Sequence, residues 1–212
     1  MMIFKKPSRE EIDGINKLQR QRFNELFLKF EPPLPEKVPG RLEKIVAFGK
    51  IEKEDVVLDV GAGTGILIPT IQKYAPSAIY ACDLSENMLG QLKKNYPDVE
   101  TFRTDIKDLT LPDSIVDVVF INACYPNIAD KTAGFKNIAR IMKPGGRMVI
   151  SHPLGKGFVE KIRRIAPYPL DDFPEKKDAE NLFRSLGFSI RTFIDEPELY
   201  ILAAVKSEPK LV

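Results

Sequence analysis

Histidine is nearly missing from this 212-residue chain, which has one, and cysteine is scarce, with two. Cys82 and Cys124 lie in apolar stretches that read as strand ends, and nothing near them has metal-ligand spacing, so no metal site is expected. A reducing cytoplasmic setting is the simplest one for such thiols. Surplus charge of one sign is lacking too: 32 Lys plus Arg stand against 30 Asp plus Glu, a net charge of +2. That balance withholds the basic excess with which a protein neutralises a nucleic-acid backbone, although a local basic patch stays open. No apolar run approaches membrane-spanning length. The start, Met1-Met2-Ile3-Phe4-Lys5-Lys6-Pro7, meets charge and proline before any signal-like apolar region forms, so the expectation is neither secreted nor membrane-spanning. What is present is an ordinary apolar share, 43%, in a length that fits one mid-sized α/β domain with a real core.

From Ile12, the apolar positions Ile15, Leu18, Phe23, Leu26, Phe27 and Phe30 recur every three or four residues, predicting an amphipathic helix to about Phe30. Pro32, Pro33 and Pro35 end it. A second short helix over 41–48 turns Leu42, Ile45 and Val46 inward. Residues 1–50 thus read as a helical segment ahead of a core over 51–212. In that core strand and helix alternate, which argues for a parallel sheet covered on both faces. Strands are expected at 56–60, 78–82, 99–103, 116–121 and 147–151, and helices at 65–74, 86–95 and 131–142, with Ser85 as the cap of the second. Lys143-Pro144-Gly145-Gly146 reads as the turn into the fifth strand. A last helix over 176–186 stops at Gly187, and two strand-like runs, 188–194 and 199–205, pair as an antiparallel hairpin at one sheet edge. The expected fold is α/β: a Rossmann-like, seven-stranded, mostly parallel sheet.

The first strand ends in Asp59-Val60 and opens into Gly61-Ala62-Gly63-Thr64-Gly65 before a helix. Glycines let a backbone approach a ligand closely, and the helix start favours negative charge. Two ligand classes use such loops. The dinucleotide fingerprint needs a third glycine at position 66, which is Ile66 here. A carboxylate two positions before the first glycine would repel a pyrophosphate but suits the ammonium group of an amino acid. The run Val57-Leu58-Asp59-Val60-Gly61-Ala62-Gly63-Thr64-Gly65 closely resembles the first motif of class I S-adenosylmethionine-dependent methyltransferases.

The resemblance, close over 56–151, implies S-adenosylmethionine as cofactor and assigns residues to it. Asp59 would hold the amino group, and Gly61, Ala62, Gly63 and Gly65 would cradle the methionine part. Asp83-Leu84-Ser85-Glu86-Asn87-Met88-Leu89 is similar to a run common in the family's small-molecule branch, which includes ubiquinone- and menaquinone-biosynthesis enzymes. Asp83 there accepts from the ribose hydroxyls, beside Leu84, and Met88 packs near the adenine. Thr104-Asp105-Ile106 resembles the adenine-contacting position, with Asp105 accepting from the exocyclic amine, Ile106 offering a backbone donor and Asp108 as a competing acid. Each match also has a plainer reading: a polar strand end, a core methionine, a solvated acidic turn.

The acceptor end is less defined. Asn122-Ala123-Cys124-Tyr125-Pro126-Asn127 partly resembles the Asn-Pro-Pro-Tyr motif of amino-group methyltransferases, but prolines are missing at 123 and 124, which argues against a nucleic-acid or protein-amide acceptor. Asn122 and Tyr125 stand where family members line the cofactor and acceptor pocket, or they are a strand cap and a packed ring. His152, expected to face the crevice, is the best single choice for a general base, with a structural histidine as the alternative. Cys124 is a nucleophile or an inert buried thiol. Lys156, Lys161, Arg163 and Arg164 would attract an anionic acceptor, or they form a solvated basic face. The Phe-rich first helix closes the pocket or packs as ordinary core. The function expected is methyl transfer to a small molecule by direct displacement, in which alignment and exclusion of water do most of the work. A non-catalytic cofactor-binding module is the alternative.

Overall fold

The structure is a computed structural model, and it describes residues 8–208. The stretch 1–7, read above as forming no signal-like apolar region, lies outside the described residues. Helix α1 (Arg9–Leu26) starts at a reciprocal cap: the Glu11 N–H donates to the Ser8 Oγ at 3.1 Å, and the Ser8 N–H donates to the Glu11 carboxylate at 2.7 Å. Its last stretch tightens into a 3-10 turn, Phe27–Phe30, so the α-helix stops short of Phe30. Helix α2 (Val38–Ala47) carries a proline in its first turn, where a missing N–H costs nothing, and so begins earlier than the apolar spacing indicates.

The core runs β1 (Val56–Val60), α3 (Ile68–Gln72), β2 (Ala78–Asp83), α4 (Glu86–Asn95), β3 (Glu100–Arg103), β4 (Val116–Asn122), α5 (Lys131–Ile141) and β5 (Met142–His152). It continues through α6 (Gly155–Arg163), α7 (Lys176–Ser185), β6 (Phe188–Glu196) and β7 (Leu199–Lys206). The seven strands form one sheet in the order β3-β2-β1-β4-β5-β7-β6. The first five are parallel, and β7 runs antiparallel to both β5 and β6. The expected Rossmann-like sheet and edge hairpin are therefore present, with the hairpin's second strand inside and its first at the edge.

Side chains alternate along each strand, so β1 sends Val57 to one face and Leu58 to the other. Val57 joins Ile45, Ile68, Leu92 and Phe120 under α2, α3 and α4. Leu58 joins Phe135, Ile138, Phe183 and Tyr200 under α5 and α7. Two differences from the sequence reading are local. Helix α3 is confined to Ile68–Gln72, because the glycine loop and the turns after it use the residues before it. Strand β5 begins at Met142, since Lys143 to Gly146 form an irregularity inside the strand, where the register to β4 shifts between Val116 and Val118.

Strand order reverses between β1 and β4, the switch point at which open α/β sheets leave a crevice beyond the strands' carboxyl ends. Phe135, fully buried between the Tyr125 and Phe183 rings at centroid distances of 5.9 and 5.1 Å, anchors the layer behind that crevice. Phe135→Ala is expected to cost about 3–5 kcal/mol of stability. Urea unfolding measures it, and a loss well below that range would mean the site collapses around the missing ring.

Candidate functional site

A cleft at this switch point contains about 950 Å³ of empty space, its open mouth included. The loops after β1, β2, β3 and β4 line it on one side and α1 with its 3-10 extension on the other. The loop after β1 is tied to β2 by two hydrogen bonds, from the Gly61 and Ala62 N–H groups to the Cys82 carbonyl at 2.8 and 3.2 Å. Gly61 has φ +65°, and a Cβ there would overlap the Cys124 Sγ, so only glycine lets this turn pack beneath the loop after β4. A Cβ on Gly63 would meet only the Met88 Sδ, at 3.7 Å, which leaves the backbone open to a ligand at this point. Gly65 differs from expectation: it does not line the cleft, and its hydrogen atom replaces a Cβ that would sit 3.0–3.1 Å from Leu92 and Tyr96 of the α4 layer.

Three carboxyl groups stand at successive strand ends around the cleft: Asp59, Asp83 and Asp105. Asp59 is 2% exposed, and among the described residues no hydrogen-bond donor reaches its side chain. Burial, with Asp83 adding like charge, pushes its pKa up to about 8. Asp83 accepts from the Gly63 N–H at 3.0 Å on one oxygen and from the Ser85 N–H at 2.9 Å on the other. Burial raises its pKa and those N–H groups oppose the rise. Each oxygen keeps a lone pair for a ligand hydroxyl. Asp105 caps the 3-10 turn Ile106–Asp108 by accepting from the Lys107 N–H at 3.0 Å, and its other oxygen accepts from Asn16 Nδ2 of α1 at 2.7 Å.

Ala62, Leu84, Met88, Ile106 and Asn122 also line the cleft. The Asn122 Oδ1 is held by the Ser151 hydroxyl at 3.0 Å. The residues individually missed by sequence reasoning come mostly from α1 and the loop after β4: Asn16, Gln19, Phe23, Phe30, Asn127 and Ile128. One signal was available. Ile12, Asn16, Gln19 and Phe23 share one helix face, and two polar amides in the middle of that face are out of place unless they meet partners. They do: Asn16 Nδ2 donates to the Asp105 carboxylate at 2.7 Å and Gln19 Nε2 to the Asn127 carbonyl at 2.9 Å, while Asn24, further along α1, accepts from the Ser85 hydroxyl at 2.5 Å.

His152 and Tyr125 do not line the cleft. His152 is packed between the Phe158 and Phe173 rings, and its Nδ1 accepts from the Leu154 N–H at 3.1 Å. Burial lowers its pKa to about 4, so the ring is neutral at physiological pH, and the expectation that it faces the crevice is not met. The Tyr125 ring is fully buried, stacked on Phe173 with Lys131 over one face, and burial raises its pKa. Cys124 lines the cleft, but burial pushes its thiol well above the ordinary range, away from thiolate character. The basic segment also stays outside the wall. Lys156 pairs with Glu175 and Asp195, both at 2.7 Å, Arg163 pairs with Asp172, and Lys161 and Arg164 are exposed.

Fold and site together are a Rossmann-like domain with a cleft at its switch point and an unpaired carboxyl in the cleft wall. Residues 58–150 match the family model Methyltransf_11, a methyltransferase domain. A demethylmenaquinone methyltransferase of Paenarthrobacter aurescens is 30% identical over 152 residues, which is 68% of this chain and 58% of that one. The chain covers between 43% and 65% of the length of the curated relatives it matches. Among solved structures, the methyltransferase in complex with the Haloferax volcanii activator Trm112 superposes with a TM-score of 0.74 at 16% identity, covering 97% of this chain and all of that one. Magnesium protoporphyrin IX methyltransferase of Synechocystis, solved with bound S-adenosylhomocysteine, gives 0.64 at 20% identity over 91% of this chain and 100% of that one. Residues 58–150 of this chain thus match a methyltransferase domain, and the solved structures share its fold.

The Asp59 carboxyl makes the stability of the cofactor-free protein depend on pH. In the unfolded chain it ionises near the ordinary carboxylate value of 3.8, in the folded protein at about 8. Between those values the folded state holds a proton that the unfolded state releases, so this group lowers stability progressively as pH rises through the window. Asp59→Asn, neutral throughout, is expected to be the more stable protein at about pH 9 and to lose that advantage at about pH 4. Denaturant titrations at both pH values measure it. An identical gap at the two would contradict the assignment.

Proposed function

We propose that the protein transfers a methyl group from S-adenosylmethionine to a small-molecule acceptor by direct displacement, in a cytoplasmic setting. The observation that carries this reading is the set of three carboxyl groups around one cleft, of which Asp59 is buried with no protein partner. A buried carboxylate is tolerated only when paired, and an amino-acid ammonium is the partner that this position suits. When bound, S-adenosylmethionine supplies a methyl carbon on a sulfonium, open to displacement in one step.

The chain's own residues then bind, orient and exclude water. Asp59 holds the ammonium, and the open backbone at Gly63 leaves room for the methionine part. Asp83 offers its free lone pairs to the ribose hydroxyls, and Asp105, steadied by Asn16, faces the adenine amine beside Met88 and Ile106. Helix α1 and residues 27–30 serve as a cap: Phe23 and Phe30 cover the cleft while hydrogen bonds join α1 to three of its loops. Alignment in a closed site supplies much of the acceleration of a displacement of this kind. The relatives named for menaquinone methylation support a small-molecule acceptor, as does the near-balanced charge of the chain.

Calorimetry with S-adenosylmethionine, S-adenosylhomocysteine and NAD, followed by a metabolite-extract screen for released S-adenosylhomocysteine, tests the proposal. Both sulfur nucleosides should bind and the extract should yield product; binding of NAD alone would sink the reading, and binding without turnover in any extract would favour a cofactor-binding module. Asp83→Ala should weaken cofactor binding by about 1.5–3 kcal/mol, the worth of hydrogen bonds to a charged group. Unchanged affinity would remove Asp83 from the ribose.

A further inference from the structure

Gly65 belongs to the glycine loop but does not line the cofactor cleft; it lines a second cavity, which shares Thr64 and Ile66 with that cleft. This cavity contains about 840 Å³ of empty space, its open mouth included, between residues 31–34, helix α2, the start of α3 and the end of α4. We propose that it is a binding site for a small organic ammonium with an apolar body, and that its occupancy strengthens cofactor binding through the shared loop. The site stands apart from the methyltransferase reading above, and only the coupling rests on it.

The walls are mainly apolar, from Leu34, Pro39, Leu42, Ile66 and Pro69. Among the described residues that line the cavity none is lysine, arginine or histidine, and its two charged groups are Glu31 and Glu43. Glu43 is already taken, paired with Lys73 at 2.8 Å. Glu31 is differently held. Gln91 Nε2 and Asn95 Nδ2 both donate to its Oε2, at 2.8 and 3.1 Å, and neither brings a charge. Burial opposes ionisation of this carboxyl, but hydrogen bonds from Thr64, Gln91 and Asn95, with the more distant charge of Lys94, outweigh it and hold the pKa below the ordinary carboxylate value. The carboxylate keeps lone pairs for a further donor. Tyr96 stands close enough for the Glu31 charge to add to burial in raising its pKa, and among the described residues its hydroxyl has no protein partner. Carboxylate and phenol together suit an ammonium group, whereas an anion would meet Glu31 and no lining counter-charge.

The wall common to the two spaces is the cofactor loop itself. A Cβ on Gly65 would sit 3.1 Å from the Tyr96 ring, so that ring rests against the loop's last glycine. Glu31 directly follows Phe30, which lines the cofactor cleft. A ligand seated on Glu31 and Tyr96 therefore steadies both the segment over the cofactor and the loop beneath it. By reciprocity the cofactor tightens the ligand's site.

The test is calorimetry at neutral pH on the full chain, with cyclohexylmethylamine as the cationic probe and cyclohexylmethanol and cyclohexanecarboxylate as its neutral and anionic counterparts. With S-adenosylhomocysteine saturating, the amine should bind about three- to tenfold more tightly than the alcohol, and the carboxylate should bind weakest. Glu31→Gln, which keeps an oxygen for Gln91 and Asn95 but removes the charge, should erase the preference for amine over alcohol, with S-adenosylhomocysteine still bound. Omitting S-adenosylhomocysteine should weaken the amine about fivefold. An alcohol bound as tightly as the amine, or a preference that survives Glu31→Gln, would overturn the site. Equal amine affinity with and without S-adenosylhomocysteine would remove the coupling, and competition between the two would place the amine at Asp59 and overturn the whole proposal. If S-adenosylhomocysteine itself does not bind, the methyltransferase reading fails separately, and the amine's dependence on Glu31 still decides the site.

Discussion

A single buried carboxyl group without a protein partner, that of Asp59, is the constraint around which the site is arranged. It stands at the end of β1, beside the reversal of strand order, with Asp83 close enough to add like charge. Two such groups behind a low-dielectric wall cannot both ionise cheaply, so the cofactor-free cleft keeps a proton on Asp59 near neutral pH. A cationic ligand converts that cost into an ion pair. Recognition of such a ligand and proton release would then be one event at this position. The glycines beside it serve different ends: Gly61 lets two loops pack together, Gly63 leaves the backbone open, and Gly65 fits the loop against α4.

The second dependence is on α1. This helix buries little apolar surface, Ile12 and Gln19 being its only buried residues, and it is attached mainly through amides: Asn16 to Asp105, Gln19 to the Asn127 carbonyl, Asn24 to Ser85 and Asn87. Those contacts land on the loops after β2, β3 and β4 and, through Asn87, on the first turn of α4. A cover held by exposed and half-buried hydrogen bonds of this kind opens more cheaply than one held by a packed core. Under the proposed methyl transfer, such a cover suits a cleft that would admit two substrates and release two products.

Much of this was legible in the sequence because its signals are local. Strand, glycine loop and helix follow one another within a few residues, and each of the three carboxyl groups closes a strand, so Asp59, Asp83 and Asp105 fall on one crevice as soon as the sheet is parallel. The same locality explains the misses. Position after a strand does not say where a side chain turns: Ser151 reaches Asn122 beside the cleft, whereas His152 turns toward Phe158 and Phe173. Helix α6 was hidden by the two glycines at its start, and Gly65 reads like its neighbours until α4 is packed against it. The basic segment looked poised for an anion because its partners are not its immediate neighbours: Asp172 and Glu175 follow α6 in the chain, Asp195 comes from β6, and all three meet it only on folding.

The most direct measurement of the central claim is the number of protons released when S-adenosylhomocysteine binds at about pH 7, obtained from binding enthalpies in buffers of different ionisation heat. With Asp59 protonated in the free protein and ion-paired in the complex, the account predicts release of nearly one proton per ligand, falling toward none well above pH 8. Binding with no proton release at pH 7, or with uptake, would contradict it.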